Sequence, residues 1–299
     1  MPFSPPIDRE HLARLLQLAR EEDLGAAGDL TSRLLPETWQ RARGAWLLVA
    51  RRAGRLCGRE IMPDLLAALA PEVGVAWFDG MRDGASIQPG DRLARFEGLA
   101  AQMLAAERIL LNFLQHLSGV ATLTARFVSA VAGTHAKIYD TRKTTPGLRA
   151  LEKYAVRCGG GHNHRSGLYD AVLIKDNHLA GIPASRLAHA VFEMLNRLET
   201  LPSQPAFVEV ECDGLDQFAE LLKVVGIDLI LLDNFTLDDL RRAVEMRDRA
   251  GLRGKVELEA SGQATLENVR AIAGTGVERI AVGAVTHSAP ILDLGIDVV

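Results

Sequence analysis

Between residues 137 and 178 the chain gathers its densest set of reactive side chains. Lys137, Arg142, Lys143, Arg149, Lys153, Arg157, Arg165 and Lys175 are cationic, and Asp140, Glu152, Asp170 and Asp176 are anionic. The segment carries a charge of +4 inside a chain whose formal charge is −4, so the remainder is at −8. DTRKTTPG (140–147) offers the Thr141 hydroxyl, the Arg142 fork and the Lys143 ammonium, groups that suit phosphate or carboxylate oxygens. The plainer alternative is a loop that caps the next helix. GGGHNHR (159–165) has glycines that let backbone N–H groups approach an anion, or that merely make a flexible turn. His162 and His164 form an HxH pair. It follows three glycines rather than ending a strand, so no transition-metal site is expected there.

Lys175 ends the apolar run AVLIK. It can serve as a Schiff-base lysine or as a cation for substrate. Burying it unpaired would cost several kcal/mol, so a purely structural role is unexpected. Glu209, Glu211 and Asp233 are acidic residues on neighbouring strands. Glu211 and Asp233 can hold Mg²⁺ on phosphates, directly or through water, or pair with Lys175 or Arg165; both readings can hold at once. SGQAT (261–265) and VGAVTHS (282–288) are rich in small residues, which leave backbone N–H groups open to a phosphate.

These residues need elements to hold them. Six short apolar runs, at 136–140, 171–176, 206–212, 229–234, 256–261 and 279–285, are mostly separated by helix-like stretches at 184–199, 214–225, 237–250 and 265–273. Such alternation predicts βαβ units and a parallel sheet. Polar residues close five of the runs, as at the C-terminal face of a βα barrel. Six strands imply an incomplete barrel, with a doubly wound sheet as the alternative. Upstream, residues 8–22 and 62–69 read as helices and 45–50 as a strand. Turn signals at Asp83-Gly84 and Pro89-Gly90 predict an antiparallel element. Residues 99–131 predict one long helix, or two joined near Ser118-Gly119.

The chain has 299 residues, 48% hydrophobic and 24% charged. A chain of this length buries roughly 75% of its unfolded surface, so neither disulfides nor a structural metal is required. Mild acidity argues against nucleic acid. No apolar run nears the ~18 residues of a membrane span. The start, MPFSPPIDREH, does not read as a secretory signal. Cys57, Cys158 and Cys212 are too few and too scattered for a disulfide framework, so a reduced, cytoplasmic setting is expected.

The run DTRKTTPGLRALEKYAVRCGGGHNHRSGLYDAVLIKDNH resembles the quinolinate phosphoribosyltransferases, and further blocks resemble that family in order: EEDLGAAGDLTS, AAERILLNFLQHLSGVATLT, VEVEC, ILLDNF, LEASG and AVGAVTHSAPILDLGID. The resemblance implies an α/β fold: an N-terminal α/β sandwich and an incomplete, six- to seven-stranded α/β barrel of the TIM type. Residues 1–110, joined by the tail 286–299, would form the sandwich, and 111–285 the barrel. The implied reaction joins quinolinate to phosphoribosyl pyrophosphate (PRPP) with Mg²⁺, giving nicotinate mononucleotide, pyrophosphate and CO₂ in NAD biosynthesis. Carried over position by position, the implied substrate residues are Arg108, Thr141, Arg142, Lys143, His164, Arg165, Lys175, Glu211, Asp233, Ser261, Gly262, Gln263, Gly283 and Ala284. Lys143, Lys175, Glu211 and Asp233 would be the catalytic ones, and Glu211 and Asp233 the Mg²⁺ carboxylates. Arg108 would reach a neighbouring subunit's site, which implies a homodimer or larger homo-oligomer. Two residues depart from the family pattern. Gln263 stands where Gly or Asn is common, and His162 where a small or apolar residue is expected. Lys175 leaves a Schiff-base aldolase as a second enzyme class, and a non-catalytic anion-binding protein of the same fold as a third.

Overall fold

The computed structural model describes residues 7–299. In chain order its first elements are α1 (Arg9–Leu24), α2 (Leu30–Arg33), α3 (Glu37–Gln40), β1 (Arg43–Ala50), β2 (Gly54–Arg55), α4 (Met62–Leu69), β3 (Val73–Trp77), β4 (Ser86–Ile87), β5 (Arg92–Leu99) and α5 (Ala100–Ala130). Then come β6 (Lys137–Tyr139), α6 (Arg149–Cys158), β7 (Val172–Ile174), α7 (Ala184–Leu195), β8 (Val208–Cys212), α8 (Leu215–Leu221) and β9 (Leu229–Asp233). The last are α9 (Leu237–Arg249), β10 (Glu257–Ser261), α10 (Val269–Ala273), β11 (Arg279–Ala281), α11 (Ala284–His287) and β12 (Leu294–Val298).

The chain divides into two compact units. One, the α/β unit, comprises the described residues through Ala125 together with Thr145–Gly160 and Ser288–Val299. Its main sheet has the order β12-β1-β5-β3, antiparallel throughout, and β2 pairs with β4 beside it. The Asp8 side chain caps α1 by accepting from the Glu10 and His11 amides, which satisfies donors the helix cannot use itself. Leu12 and Leu16, one turn apart, are then buried on a single face. α5 is one helix through Ser118-Gly119 rather than two. Gly119 is there for contact: a Cβ would lie 2.1 Å from the Pro290 carbonyl oxygen.

The boundary expected at residue 110 falls inside α5, and residues 111–125 and 145–160 group with the α/β unit instead of the barrel. α6 explains the second shift. Leu151, Ala155 and Val156 are buried, His116 on α5 meets the buried Glu152 at 2.9 Å, and Glu152 also accepts from the Thr145 amide at 3.1 Å. This charge-rich helix is thus fastened from inside.

The second unit, Arg126–Thr144 and Gly161–His287, holds a six-stranded parallel sheet in the order β6-β11-β10-β9-β8-β7. A parallel bridge between Tyr139 and His162 extends the free edge of β6. Six full strands plus this partial seventh make an incomplete barrel. Side chains alternate across each strand. Even-numbered positions such as Ile174, Val208, Val210, Ile230, Leu232, Leu258 and Ile280 are apolar and buried. Odd-numbered positions carry Leu173, Glu209, Glu211, Leu231, Asp233, Glu259 and Ser261. The register sets Glu211 beside Leu231, Glu259 beside Leu231, and Ser261 beside Asp233, so these positions share one face. Among the described residues no helix is long and apolar enough to cross a membrane. The three cysteines are free.

Candidate active site

A cavity of about 330 Å³ opens on the odd-numbered face of the barrel sheet. It is lined by Thr141, Arg142, Lys143, His164, Arg165, Leu173, Lys175, Glu211, Leu231, Asp233, Glu259, Ser261 and Ala281. Strand ends supply Lys175, Glu211, Asp233 and Ser261, β10 supplies Glu259 from within the strand, and the segments after β6 and before β7 supply the other polar groups. The sequence-predicted cations Arg142, Lys143, Arg165 and Lys175 therefore line one cavity together with the carboxylates Glu211 and Asp233.

The local fold fixes these groups one by one. Asp140 is buried and accepts from the His164 amide at 2.8 Å and from the Asn163 side chain at 2.6 Å, which ties the GGGHNHR segment to the end of β6. Thr141 Oγ1 accepts from the Lys143 amide at 3.0 Å, and Thr286 Oγ1 donates to the Lys143 carbonyl at 2.7 Å. Lys175 Nζ donates to Glu211 Oε2 at 3.0 Å, so this lysine is ion-paired while its side chain remains about half exposed. Arg165 is buried, and Nη1 donates to the Ala171 carbonyl at 3.3 Å. Burial, and then the neighbouring Arg142 charge, draw its pKa down from the ordinary guanidinium value. A site where a buried guanidinium has a second cation beside it is prepared for anions.

His164 is held differently from what its type implies. Nε2 lies 2.7 Å from Glu209 Oε2, and Nδ1 accepts from the Arg165 amide at 2.7 Å. An accepting Nδ1 leaves the proton on Nε2, which donates to Glu209. His164 lines the cavity with both ring nitrogens engaged, and through Nδ1 it holds the Arg165 backbone. Glu259 Oε1 lies 3.6 Å from the same Nε2. His164, Glu209 and Glu259 form the one metal-type cluster found among the described residues. The protonated Nε2 makes it a proton-sharing group rather than a metal centre. Glu209 Oε1 and both Glu259 oxygens are buried without hydrogen-bond partners. Burial pushes the Glu209 pKa up to about 7, and burial plus the Glu209 charge push Glu259 up to about 8.

Gly262 and Gln263 follow β10 directly, and Gly283 and Ala284 follow β11. None of the four lines the cavity itself. Gly262 has φ +100°, and a Cβ there would lie 2.2 Å from Asn234 Oδ1, so only glycine fits. Gln263 has φ +44°, in the left-handed region that favours Gly or Asn. Asn268 supports this backbone: Nδ2 donates to the Gln263 carbonyl at 3.0 Å, and Oδ1 accepts from the Thr265 amide at 2.8 Å. A Cβ on Gly283 would lie 3.1 Å from His287 Nε2 and 3.3 Å from Lys143 Cδ. Arg108 is exposed on α5, in the α/β unit. His162 stacks on Tyr139 with ring centroids 5.2 Å apart, whereas the His164 ring turns to Glu209, so the two rings of the HxH pair do not converge.

Sequence reasoning left Glu209 without a role and did not single out Glu259, Leu173, Leu231, Ala281 or His287. The strict alternation in VEVEC and LEAS carried the signal for both glutamates, since it sends every second residue to one face.

Two family models cover nearly the whole chain. "Quinolinate phosphoribosyl transferase, C-terminal domain" matches residues 120–297, and the N-terminal domain of the same name matches residues 29–118. The chain belongs to the quinolinate phosphoribosyl transferase family. It is 43% identical to the nicotinate-nucleotide pyrophosphorylase [carboxylating] of Mycobacterium leprae, over 94% of this chain and 95% of that protein. The probable counterpart of Bacillus subtilis is 38% identical over 96% and 93%. Among solved structures, the nicotinate-nucleotide pyrophosphorylase of Francisella tularensis superposes with a TM-score of 0.85 at 35% identity, covering 98% of each chain. Members of the quinolinate phosphoribosyl transferase family therefore match this chain end to end in sequence and in fold.

Proposed function

We propose that this chain transfers the phosphoribosyl group of PRPP to quinolinate and releases CO₂, giving nicotinate mononucleotide and pyrophosphate in NAD biosynthesis. The observation that carries the reading is the convergence of Arg142, Lys143, Arg165 and Lys175 with Glu211 and Asp233 in one cavity at the strand ends. Quinolinate has two carboxylates, and PRPP has a 5′-phosphate and a pyrophosphate. Fixed cations bind such groups with little reorganisation, and planar Arg forks match carboxylates in two places at once.

Arg142 and Arg165 hold the dicarboxylate, and His164 fixes the Arg165 backbone. Arg108 from a second subunit completes this pocket. Lys143 and Lys175 lie near the donor and the reacting centre. Backbone N–H groups around Ser261, Gly262, Gln263, Gly283 and Ala284 receive the 5′-phosphate. The pyridine nitrogen attacks the anomeric carbon, so the chain supplies no nucleophile. Once quaternary, that nitrogen stabilises the carbanion left when the adjacent carboxylate departs. The protein's contribution is positioning and electrostatics.

The donor set at the strand ends fits Mg²⁺, a hard cation that takes one or two carboxylates plus substrate phosphates. Glu211 and Asp233 would hold it, and it would neutralise charge on the departing pyrophosphate. The Lys175–Glu211 ion pair keeps Glu211 oriented at the cavity wall. Lys175 engaged with a carboxylate, in a site crowded with cations, favours a substrate-binding role over a Schiff base. The reading includes a homodimer or larger homo-oligomer and a cytoplasmic setting, with no nucleic-acid or membrane partner.

The test is an assay with quinolinate, PRPP and Mg²⁺. Equal amounts of CO₂ and nicotinate mononucleotide are expected. Turnover of nicotinate but not quinolinate would refute the substrate, and borohydride trapping of an adduct on Lys175 would refute the mechanism.

A further inference from the structure

Two of the three cysteines lie in the α/β unit, 101 positions apart in sequence, and the fold brings them together. Cys57 follows β2, and its main chain is clamped to the buried Ser118 of α5. Ser118 Oγ accepts from the Cys57 amide at 2.9 Å and donates to the Cys57 carbonyl at 3.2 Å. Cys158 is the last residue of α6. Asp83 fastens both neighbourhoods. Its carboxylate accepts from the amides of Gly58, Arg59 and Glu60 at 2.8–2.9 Å, just after Cys57, and from the Tyr154 hydroxyl, one turn before Cys158. Gly84 closes the arrangement. Its amide donates to the Leu56 carbonyl at 2.8 Å, and a Cβ on it would lie 2.8 Å from the Cys158 carbonyl oxygen. The contacts of Asp83 and Gly84 thus set Cys57, fully buried, beside Cys158, which is only partly buried.

We propose that Cys57 and Cys158 form a peroxide-sensing dithiol, with Cys158 the attacking sulfur and Cys57 the resolving one. The Cys158 thiolate attacks one oxygen of a hydroperoxide and becomes a sulfenic acid, while the other oxygen leaves with a proton as water or alcohol. The Cys57 sulfur then attacks the sulfenic sulfur, forming the S–S bond. The sulfenic hydroxyl leaves with the Cys57 proton as water. Two thiols are oxidised and one peroxide bond is reduced.

Reactivity follows thiolate character and access, and a sensor cysteine works beside a resolving partner. Cys158 has all three features. The neighbouring Cys57 thiol lowers its pKa against the raising effects of burial and of the Asp83 charge, and Tyr154 and Arg157 add to the lowering. Cys57, by contrast, is pushed well up by burial. Cys212 on β8 is buried, its thiol also pushed up by burial, and it has no cysteine neighbour, so it serves as the internal control. A cytoplasmic setting keeps such a pair reduced until oxidant arrives.

The experiment treats the reduced full-length protein with a small excess of hydrogen peroxide, alkylates remaining thiols, and maps the peptides by mass spectrometry. A Cys57–Cys158 linked pair in most chains is expected, reversed by dithiothreitol, with Cys212 unmodified until the chain is unfolded. In Cys57→Ser, whose hydroxyl can still donate to Cys158 but cannot form a disulfide, the sulfenic acid at Cys158 should persist and be trapped by dimedone. If that variant does not fold, the wild-type map decides alone. Sulfinic acid at Cys158 without the linkage, or oxidation of Cys212 as fast as Cys158, would overturn the proposal. So would two cysteines still fully alkylated at a dose that oxidises a free small thiol.

Discussion

Replacing Glu259 by Gln removes a buried proton-binding site while keeping the shape of the side chain. In the folded protein the Glu259 pKa stands at about 8, against 4.5 as the ordinary value. The folded state therefore holds a proton that the unfolded chain has already released above pH 4.5. A raised carboxyl pKa gives stability that is complete below the unfolded value and lost as pH rises through the folded one. Between pH 6 and 7 the imbalance is close to one proton, worth about 1.4 kcal/mol per pH unit. Wild type should lose about that much over this interval on account of Glu259, and the loss should level off above pH 8. Glu259→Gln carries no such term, so its curve should be flatter by about that amount. Urea denaturation followed by circular dichroism at pH 5, 6, 7 and 8 measures both slopes. Parallel curves would refute the reasoning, because they would mean that Glu259 titrates alike in the folded and unfolded chains.

The other predictions concern the cavity. Arg142→Ala and Arg165→Ala should each raise KM for quinolinate at least tenfold, about 1.4 kcal/mol or more of lost binding; steady-state kinetics with both parameters unchanged would remove the dicarboxylate assignment. Glu211→Gln or Asp233→Asn should raise the Mg²⁺ concentration giving half-maximal rate several-fold, read from a Mg²⁺ titration at saturating substrates. An Arg108→Ala subunit mixed with a Lys175→Ala subunit should recover part of the activity that each lacks alone, and no recovery on mixing would argue that Arg108 does not serve a partner's site.

The barrel's strands were legible because each is a short apolar run and five of the six are closed by a polar residue; Asp140, Lys175, Glu211, Asp233 and Ser261 do sit at strand ends. The grouping of the chain was less legible. Residues 149–158 look like a charged surface helix, yet Glu152 and Lys153 are buried. Only the distant His116 reveals why Glu152 can be, since a buried charge is tolerated where it finds partners. Helix ends were also overdrawn: the stretch read as 265–273 is helical only over Val269–Ala273, because Asn268 turns back to hold Gln263 and Thr265. The commitment of His164 to Glu209 and to its own neighbour's amide depends on geometry that residue type does not encode. Gly119 and Gly262 are required by atoms far away in sequence, Pro290 and Asn234.

The pairing of β12 with β1 has a consequence for how the chain is made. β1 ends at Ala50 and its outer neighbour begins at Leu294, so one edge of that sheet stays open until the 243 residues between them and β12 itself have emerged from the ribosome. The barrel strands are complete earlier, at Ala281. Contacts this distant in sequence form late, after the loop-closure entropy between them has been met. During synthesis the exposed edge of β1 is a surface that can pair wrongly. Removing the last six residues would leave the barrel's own strands intact and strip an edge from the sheet that was translated first.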